Sequence, residues 1–282
     1  MIDFNTLFPD EREKGENRLK QCHLVMIRML KILDYLCTKH GIQYFLTGGS
    51  LLGAIRFKGI IPWDDDMDIG MTRNNYEKFV QYAVPELPKD IFFQSDETDP
   101  HFPACHLVEA KLRDRYSTYS HKKHRKYQDG LMIDIFVYDR SFLPNNFFIY
   151  ALNKFLKFLW HHKPKGNQKR ANVLKWIAKH SPIPLVYDSS LVNNRGKMRA
   201  GEFYFKEKEI SKMIKVPFED METWAPVGYD AFLTRQYGDY MNDNRPRQHG
   251  IDLPDPFTPC NHKEALHWKD RKVDTIPKTR SI

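Results

Sequence analysis

The feature that most constrains the fold is an acidic run at residues 64–71 that turns into a strand pattern. It reads Asp-Asp-Asp-Met-Asp-Ile-Gly-Met, and polar and apolar residues alternate from Asp66 onward. Because successive side chains of a strand point to opposite faces, Asp66 and Asp68 are predicted to share one face, with the apolar residues on the other. The chain must therefore build a sheet with a buried apolar face behind a pair of carboxylates.

A glycine-rich turn precedes the acidic run. Gly48, Gly49 and Ser50 separate an apolar stretch at 43–47 from a helical stretch that ends near Gly59. Glycines permit sharp changes of chain direction, so this pattern predicts a strand, a tight turn and a helix. The same turn would let backbone amides approach a phosphate, since no Cβ obstructs them.

A third acidic position lies inside an apolar stretch. Asp134 is surrounded by apolar residues within the predicted strand 131–138, where burying a carboxylate is costly unless it has a partner. Two carboxylates two residues apart, joined by a third from a later strand, can hold one or two Mg²⁺ ions, with Mn²⁺ as the alternative. We therefore predict that Asp66, Asp68 and Asp134 bind metal and catalyse phosphoryl transfer from a nucleotide.

Four cationic residues lie where they are able to reach this site. Arg56 and Lys58 fall between the glycine turn and the acidic run, where a cation can neutralise pyrophosphate; a solvated helix end is the alternative. Lys111 and Arg113 alternate with a leucine on a predicted strand, so both are able to face the site, although ordinary surface charge is an equal alternative.

The remaining pattern predicts an α/β fold with a mixed sheet flanked by helices. An amphipathic helix is predicted at 10–40, with a buried stripe of cysteine, valine, methionine and leucine residues. Further helices are predicted at 74–84 and 229–237, and strands at 107–113 and 131–138. We expect one domain over 1–282.

Several protein classes are excluded by the rest of the sequence. No apolar run approaches the roughly 18–20 residues needed to cross a bilayer, and the N-terminus lacks a basic segment followed by an apolar one. The four cysteines include no Cys-x-x-Cys pair, which favours buried, reduced thiols. The sequence therefore predicts a cytoplasmic protein.

Basic residues are concentrated in one segment, at 141–200. It holds eleven lysines and arginines against one acid, an excess larger than the net charge of +8 of the whole chain. We predict that this segment is a basic helical insertion that contacts an anionic partner, namely the inner face of the plasma membrane or a lipid-linked acceptor. Nucleic acid is disfavoured, because the segment lacks zinc-finger spacing and the acidic centre repels phosphate.

Two motifs resemble those of the LicD family. Residues 44–79, YFLTGGSLLGAIRFKGIIPWDDDMDIGMTRNNYEKF, resemble the core motif of that family, and YGDYM at 237–241 resembles its second motif. The resemblance implies a fold like that of the polymerase-beta-like nucleotidyltransferases. It also implies site residues: Asp66 and Asp68 as the metal-binding pair, Asp134 as the third carboxylate, and Gly48, Gly49 and Ser50 as contacts of the donor phosphate. The roles of Asp64 and Asp65 stay open.

The resemblance also implies a reaction. The best-known members transfer phosphocholine from CDP-choline to a cell-surface glycan, such as teichoic acid, lipopolysaccharide or a capsule precursor. A choline headgroup requires aromatic faces, and Trp63 directly precedes the acidic run, which favours CDP-choline as donor. Transfer of ribitol phosphate or glycerol phosphate from the CDP-polyol is the first alternative. Ordinary nucleotidyl transfer to a small molecule is the second.

Overall fold

The structure is a computed structural model. It describes residues 2–99, 102, 108–117, 128–141, 147–160, 163, 166–180, 186–189 and 204–242. Part of the predicted basic segment, including its arginines at 195 and 199, lies outside the described residues.

The part of the chain that the structure describes contains both helices and strands. The helices are α1 (Phe4–Leu7), α2 (Arg18–Lys39), α3 (Gly48–Phe57), α4 (Arg73–Lys78), α5 (Phe147–Trp160), α6 (Gly166–His180), α7 (Glu207–Ile210) and α8 (Tyr229–Tyr237). The strands are β1 (Phe45–Leu46), β2 (Asp68–Thr72), β3 (Ile91–Gln94), β4 (Val108–Asp114), β5 (Met132–Ser141), β6 (Val186–Asp188), β7 (Tyr204–Lys206), β8 (Met213–Phe218) and β9 (Met221–Pro226).

Seven of these strands form one mixed sheet. Its main path runs β1-β2-β5-β4-β3, and β6 and β7 extend it from the far end of β5. Strands β2 and β5 are parallel, whereas the other described pairs of this sheet are antiparallel. The predicted α/β class with a mixed sheet is therefore confirmed.

Helix α2 supplies the largest part of the core beside the sheet. It begins after Asn17, whose side chain accepts a hydrogen bond from the Lys20 amide. Asparagine is a favourable N-cap residue, and the helix therefore begins at Arg18 rather than at the predicted residue 10. The predicted stripe is confirmed, since all of its members are buried: Cys22, Val25, Met26, Met29, Leu33, Leu36 and Cys37.

Two predicted boundaries near the acidic run are corrected. The Gly48-Gly49-Ser50 segment is the first turn of α3, rather than a separate turn that precedes the helix. Strand β2 begins at Asp68, so Asp66 lies on the loop that leads into it. The apolar residues Met67, Ile69 and Met71 are nevertheless buried, because they pack into the core behind the sheet.

The predicted helix at 74–84 is present with a changed pitch. Helix α4 continues as a π-helical turn at Phe79–Ala83 and a 3-10 turn at Val84–Glu86. The predicted stop at Pro85 is corrected: the α-helix ends at Lys78, and Pro85 lies inside the 3-10 turn, at an early position where its missing backbone N–H is tolerated. The predicted strands at 107–113 and 131–138 are confirmed as β4 and β5, and the predicted helix at 229–237 is confirmed as α8.

The β8–β9 hairpin holds the loop that follows α3. The turn residue Glu219 donates its backbone N–H to the Lys58 carbonyl at 2.7 Å. Its side-chain Oε1 accepts a hydrogen bond from the Ile60 amide at 2.8 Å. The loop between α3 and the acidic run is thus fixed by a distant part of the chain.

The described part of the 141–200 segment is largely helical, as predicted. Helix α6 packs against β5, and α5 packs against α6. None of the described helices combines the length and the apolar character needed to cross a bilayer. The boundaries of this segment as an insertion stay a prediction.

A buried ion pair ties the N-terminal segment to the sheet. The Arg12 guanidinium is only 2% exposed and lies 2.6 Å from Asp10 and 2.9 Å from Asp114 at the end of β4. Both Asp114 oxygens accept hydrogen bonds from this guanidinium. The chain before α2 is therefore packed onto the edge of the domain.

Replacing Arg12 by Ala is expected to destabilise the protein by about 3–5 kcal/mol, because the buried Asp114 carboxylate then loses the cation that compensates its charge. The matched control is Lys14→Ala, which breaks the exposed Lys14–Glu11 pair and is expected to cost below about 1 kcal/mol. Urea unfolding followed by circular dichroism measures both. Equal effects of the two substitutions would contradict a stabilising role for the buried pair.

Candidate active site

The site is built where β2 and β5 run parallel. Their register places Asp68 directly opposite Asp134. The Asp134 amide donates a hydrogen bond to the Met67 carbonyl at 2.7 Å, just before β2 begins. Two of the three predicted metal ligands are thus brought together by strand pairing, and Asp66 lies two residues before the first of them.

The first turn of α3 packs directly against these carboxylates. The Ser50 hydroxyl accepts a hydrogen bond from the Asp68 amide at 2.8 Å. Gly48 has a φ of +53°, and a Cβ at this position would lie 2.7 Å from Asp68 Oδ2. A Cβ on Gly49 would lie 3.1 Å from Asp64 Oδ2. The glycines therefore make room for carboxylates, while their predicted contact with donor phosphate stays a prediction.

Asp64 and Asp65, whose roles the sequence left open, belong to the same acidic centre. One carboxylate oxygen each from Asp64, Asp65 and Asp66 lie within 4.8 Å of one another. A turn in which the Asp64 amide donates to the Ile61 carbonyl at 2.9 Å produces this arrangement. We call the five carboxylates of Asp64, Asp65, Asp66, Asp68 and Asp134 the acidic centre.

Two carboxyl groups of the acidic centre, those of Asp66 and Asp68, hold their protons more tightly than isolated carboxyl groups do. Burial raises the pKa of Asp66 to about 8, and repulsion from Asp64, Asp134 and Asp65 adds to the effect. Burial also raises the pKa of Asp68 well above its usual value, reinforced by Asp66, Asp134 and Asp64. The side chains nearby therefore do not balance this negative charge.

Lys111 is a cation within the acidic centre. Its Nζ lies 2.6 Å and 2.8 Å from the two Asp134 oxygens, and β4 places it opposite Asp134. It faces the site as predicted, but it is bonded to a carboxylate. The Arg113 guanidinium, two residues along β4, donates to the Gln94 side chain at 2.8 Å and to the Gly130 carbonyl at 2.7 Å. The predicted substrate contacts of both residues stay predictions.

Arg56, Lys58 and Trp63 lie between the start of α3 and the acidic run. Arg56 is in the last turn of α3, with its guanidinium 5.1 Å from the Phe57 ring centre. Lys58 is exposed and caps the helix in the left-handed conformation, with a φ of 56°. Trp63 is 44% exposed and packs edge-on against Phe57. Their predicted roles in donor binding stay predictions.

His23 is a part of the site that sequence reasoning missed. This buried residue of α2 donates from Nε2 to the Asp64 carbonyl at 2.7 Å, and its Nδ1 has no hydrogen-bond partner among the described residues. Burial lowers the pKa of His23, which favours the neutral imidazole. The available signal was a histidine beside the apolar stripe of α2, but spacing could not show that it reaches a loop 41 residues away.

The acidic centre fits a hard divalent cation. Its side chains offer oxygen ligands only, which suits Mg²⁺ and equally Mn²⁺. The raised pKa values of Asp66 and Asp68 indicate uncompensated negative charge, which a bound cation would neutralise. Asp64 and Asp65 would enlarge the predicted ligand set of Asp66, Asp68 and Asp134.

Comparison with known proteins agrees with the resemblance seen in the sequence. Residues 41–150 match the family described as LicD/FKTN/FKRP, nucleotidyltransferase domain. This range contains α3, the acidic run, β4 and β5. Residues 41–150 therefore form a LicD-type domain, and the predicted family resemblance is confirmed.

Three relatives show how far the similarity extends. The lipopolysaccharide cholinephosphotransferase LicD of Haemophilus influenzae is 29% identical, over 79% of this chain and 91% of that protein. The uncharacterized protein RP689 of Rickettsia prowazekii is 30% identical, over 48% of this chain and 50% of its own length. The human ribitol 5-phosphate transferase FKRP is 61% identical over 31 residues, which are 11% of this chain and 6% of that protein.

Asp66→Asn is expected to stabilise the metal-free protein at pH 8. Because the pKa of Asp66 is higher in the folded protein than its ordinary value, folding favours the protonated carboxyl group. The contribution of Asp66 to the free energy of unfolding is therefore fully present at low pH and is lost as the pH rises toward about 8. Asparagine does not ionise. In EDTA, the melting temperature of the variant relative to wild type should therefore rise between pH 5 and pH 8, by roughly a few °C.

The control for this experiment is Asp96→Asn, which removes an exposed carboxylate outside the acidic centre. Its melting-temperature difference from wild type should change little over the same range. The charge repulsion described above would be disproved if Asp66→Asn were equally or less stable than wild type at pH 8.

His23→Leu is expected to weaken the stabilisation of the protein by Mg²⁺. The substitution leaves the Asp64 carbonyl without its donor, at a cost of about 1–3 kcal/mol, and frees the loop that positions Asp64 and Asp65. His23→Gln retains an N–H donor and should preserve more of the effect. Thermal melts across a Mg²⁺ titration measure this, and equal behaviour of the two variants would rule out a positioning role.

Proposed function

We propose that this protein transfers a phospho-alcohol from a CDP-alcohol to a hydroxyl group of a cell-surface glycan. Two relatives support the reaction class, since one is a lipopolysaccharide cholinephosphotransferase and another a ribitol 5-phosphate transferase. These names share the transfer of a phospho-alcohol and differ in the alcohol. The reaction class is therefore better supported than the donor.

The observation that carries the proposal is the acidic centre between α3, β2 and β5. Asp66 and Asp68, with Asp134, would hold Mg²⁺ or Mn²⁺, and Asp64 and Asp65 lie close enough to contribute. A bound divalent cation supplies neutralisation of the charge on phosphoryl oxygens. Without such a cation, the carboxylates would repel a pyrophosphate.

The surrounding residues of the chain position the donor. In our proposal Gly48, Gly49 and Ser50 present the first backbone amides of α3 to the pyrophosphate, as the N-terminus of a helix favours negative charge. Arg56 and Lys58, from the other end of α3, add positive charge. Catalysis then consists mainly of positioning and charge neutralisation.

The acceptor hydroxyl attacks the distal phosphorus of the CDP-alcohol. A bond forms between the hydroxyl oxygen and this phosphorus, the bond to the bridging oxygen breaks, and CMP leaves. The hydroxyl proton passes to a base, and we assign this role to Asp134, which Lys111 holds in place by contacts to both oxygens. Metal binding alone is the alternative role of Asp134.

CDP-choline is the donor we propose. A quaternary ammonium has no N–H to donate and is recognised by aromatic faces. Trp63 offers a partly exposed indole next to the acidic run, held against Phe57. CDP-ribitol and CDP-glycerol are the alternatives.

A cytoplasmic location is part of the proposal, because Cys22 and Cys37 are buried and unbridged.

Product analysis tests the reaction class and the donor separately. We expect the protein with Mg²⁺, CDP-choline and a glycan acceptor to release CMP, and CDP-ribitol and CDP-glycerol to react more slowly. Trp63→Ala should raise KM for CDP-choline more than for the polyol donors. Preference for a polyol donor would overturn the choice of choline, whereas pyrophosphate release from CTP would overturn the reaction class.

Changing Asp66, Asp68 or Asp134 to Asn is expected to lower the rate of CMP release at least about 100-fold. Asparagine keeps the shape of the side chain and loses the charge that a cation requires. Circular dichroism should show an intact fold for each variant, and Asp96→Asn serves as the active control. Near-wild-type turnover of any of the three would remove that residue from the metal site.

A further inference from the structure

We propose that one side of α5 docks the protein on an anionic lipid surface. This side, the α5 apolar face, consists of Phe155, Phe158 and Leu159. The inference goes beyond the proposed function and does not depend on it, because it concerns a surface outside the acidic centre.

The α5 apolar face is exposed although its residues are strongly apolar. Phe155 is 57% and Phe158 is 81% exposed, and Leu159 is also exposed. Their spacing of three and four residues places them on one side of the helix. A soluble domain rarely leaves two neighbouring phenylalanines in water without a binding partner.

Other residues of α5 pack onto the rest of the protein. Leu156 is buried and Leu152 is half-buried, and these two lie one turn apart. Helix α5 also packs against α6. The apolar arc of α5 is therefore wider than the described residues of the protein cover.

Positive charge surrounds the exposed side. Lys154 and Lys157 are exposed on α5, and Lys163 is exposed just after it. No Asp or Glu occurs between Asp139 and Asp188 in the sequence. Exposed aromatic residues flanked by lysines, without acids, are typical of a helix that lies in the interface of an anionic membrane.

The neighbouring helix α6 also has exposed residues that suit a lipid surface. Trp176 on α6 is 63% exposed, and its ring packs against His180 at 4.7 Å. Lys169 on the same helix is exposed. Tryptophan is favoured at the boundary between lipid headgroups and water, because it combines a large apolar area with a polar N–H.

A lipid surface fits better than a second copy of the chain. In a symmetric dimer through the α5 apolar face, the lysines of one copy would lie near those of the other. Such like-charge contacts oppose association, whereas an anionic membrane attracts the same lysines.

Vesicle co-sedimentation of the full chain tests the inference. We expect binding to vesicles of phosphatidylcholine mixed with phosphatidylglycerol at about 0.1 M salt, and little binding to pure phosphatidylcholine. Binding should fall at about 1 M salt, where charges are screened beyond roughly 3 Å. Equal binding to both vesicle types, or no binding to the anionic vesicles, overturns the proposal.

Paired variants identify the face involved. F155S/F158S should lower the partition coefficient about tenfold or more, and K154E/K157E about 25-fold or more, since each lysine near the surface contributes about fivefold. The controls are L7S/M241S, which changes two exposed apolar residues elsewhere, and K89E/K212E, which reverses two exposed lysines elsewhere. Both controls should bind as wild type does.

Two further outcomes would overturn the proposal. One is vesicle binding of F155S/F158S equal to that of wild type. The other is a wild-type dimer, detected by light scattering, that becomes monomeric in F155S/F158S, because the face would then be a protein interface. CMP release from CDP-choline in the absence of lipid should be unchanged in F155S/F158S, so failure of this inference is distinguishable from failure of the proposed function.

Discussion

Mutual repulsion among buried carboxylates is the constraint around which this protein is built. The parallel pairing of β2 and β5 sets Asp68 beside Asp134, and the loop before β2 brings Asp64, Asp65 and Asp66 to the same place. Like charges at this distance oppose folding unless neighbouring groups hold them. The surrounding structure meets this need only in part: glycines give the carboxylates space, Ser50 and His23 hold the adjacent backbone, and Lys111 pairs with Asp134, while the charge of Asp66 and Asp68 stays unbalanced.

The sequence predicted those features that follow from short-range periodicity. Alternation identified β2 and the common side of its acids, and an acid within an apolar run identified β5. The start of β2 was predicted two residues early, because the alternation of polar and apolar residues continues through Asp66 and Met67, which lie on the loop before the strand. The same limit left Asp64 and Asp65 without a role, since their placement depends on a turn at Ile61–Asp64.

Other parts of the site depend on contacts between distant residues, which spacing does not reveal. His23 reaches Asp64 from α2, Glu219 reaches Ile60 from the β8–β9 hairpin, and Arg12 reaches Asp114 from the N-terminal segment. Each contact needs the tertiary fold to exist before it forms. Family resemblance identifies the motif that contains the acidic run. The supporting residues are found only when the elements are packed together.

The hairpin contact has a consequence for the order in which the protein acquires its structure during synthesis. Residues 41–150, which match the family, leave the ribosome well before Glu219, so the loop from Lys58 to Ile60 is made without its two hydrogen-bond partners. The loop is completed only after the hairpin has been made and has folded back over more than 150 residues, a slow type of contact to form. A nascent chain therefore carries the whole acidic run before the loop that leads to it has gained its hydrogen bonds to the hairpin.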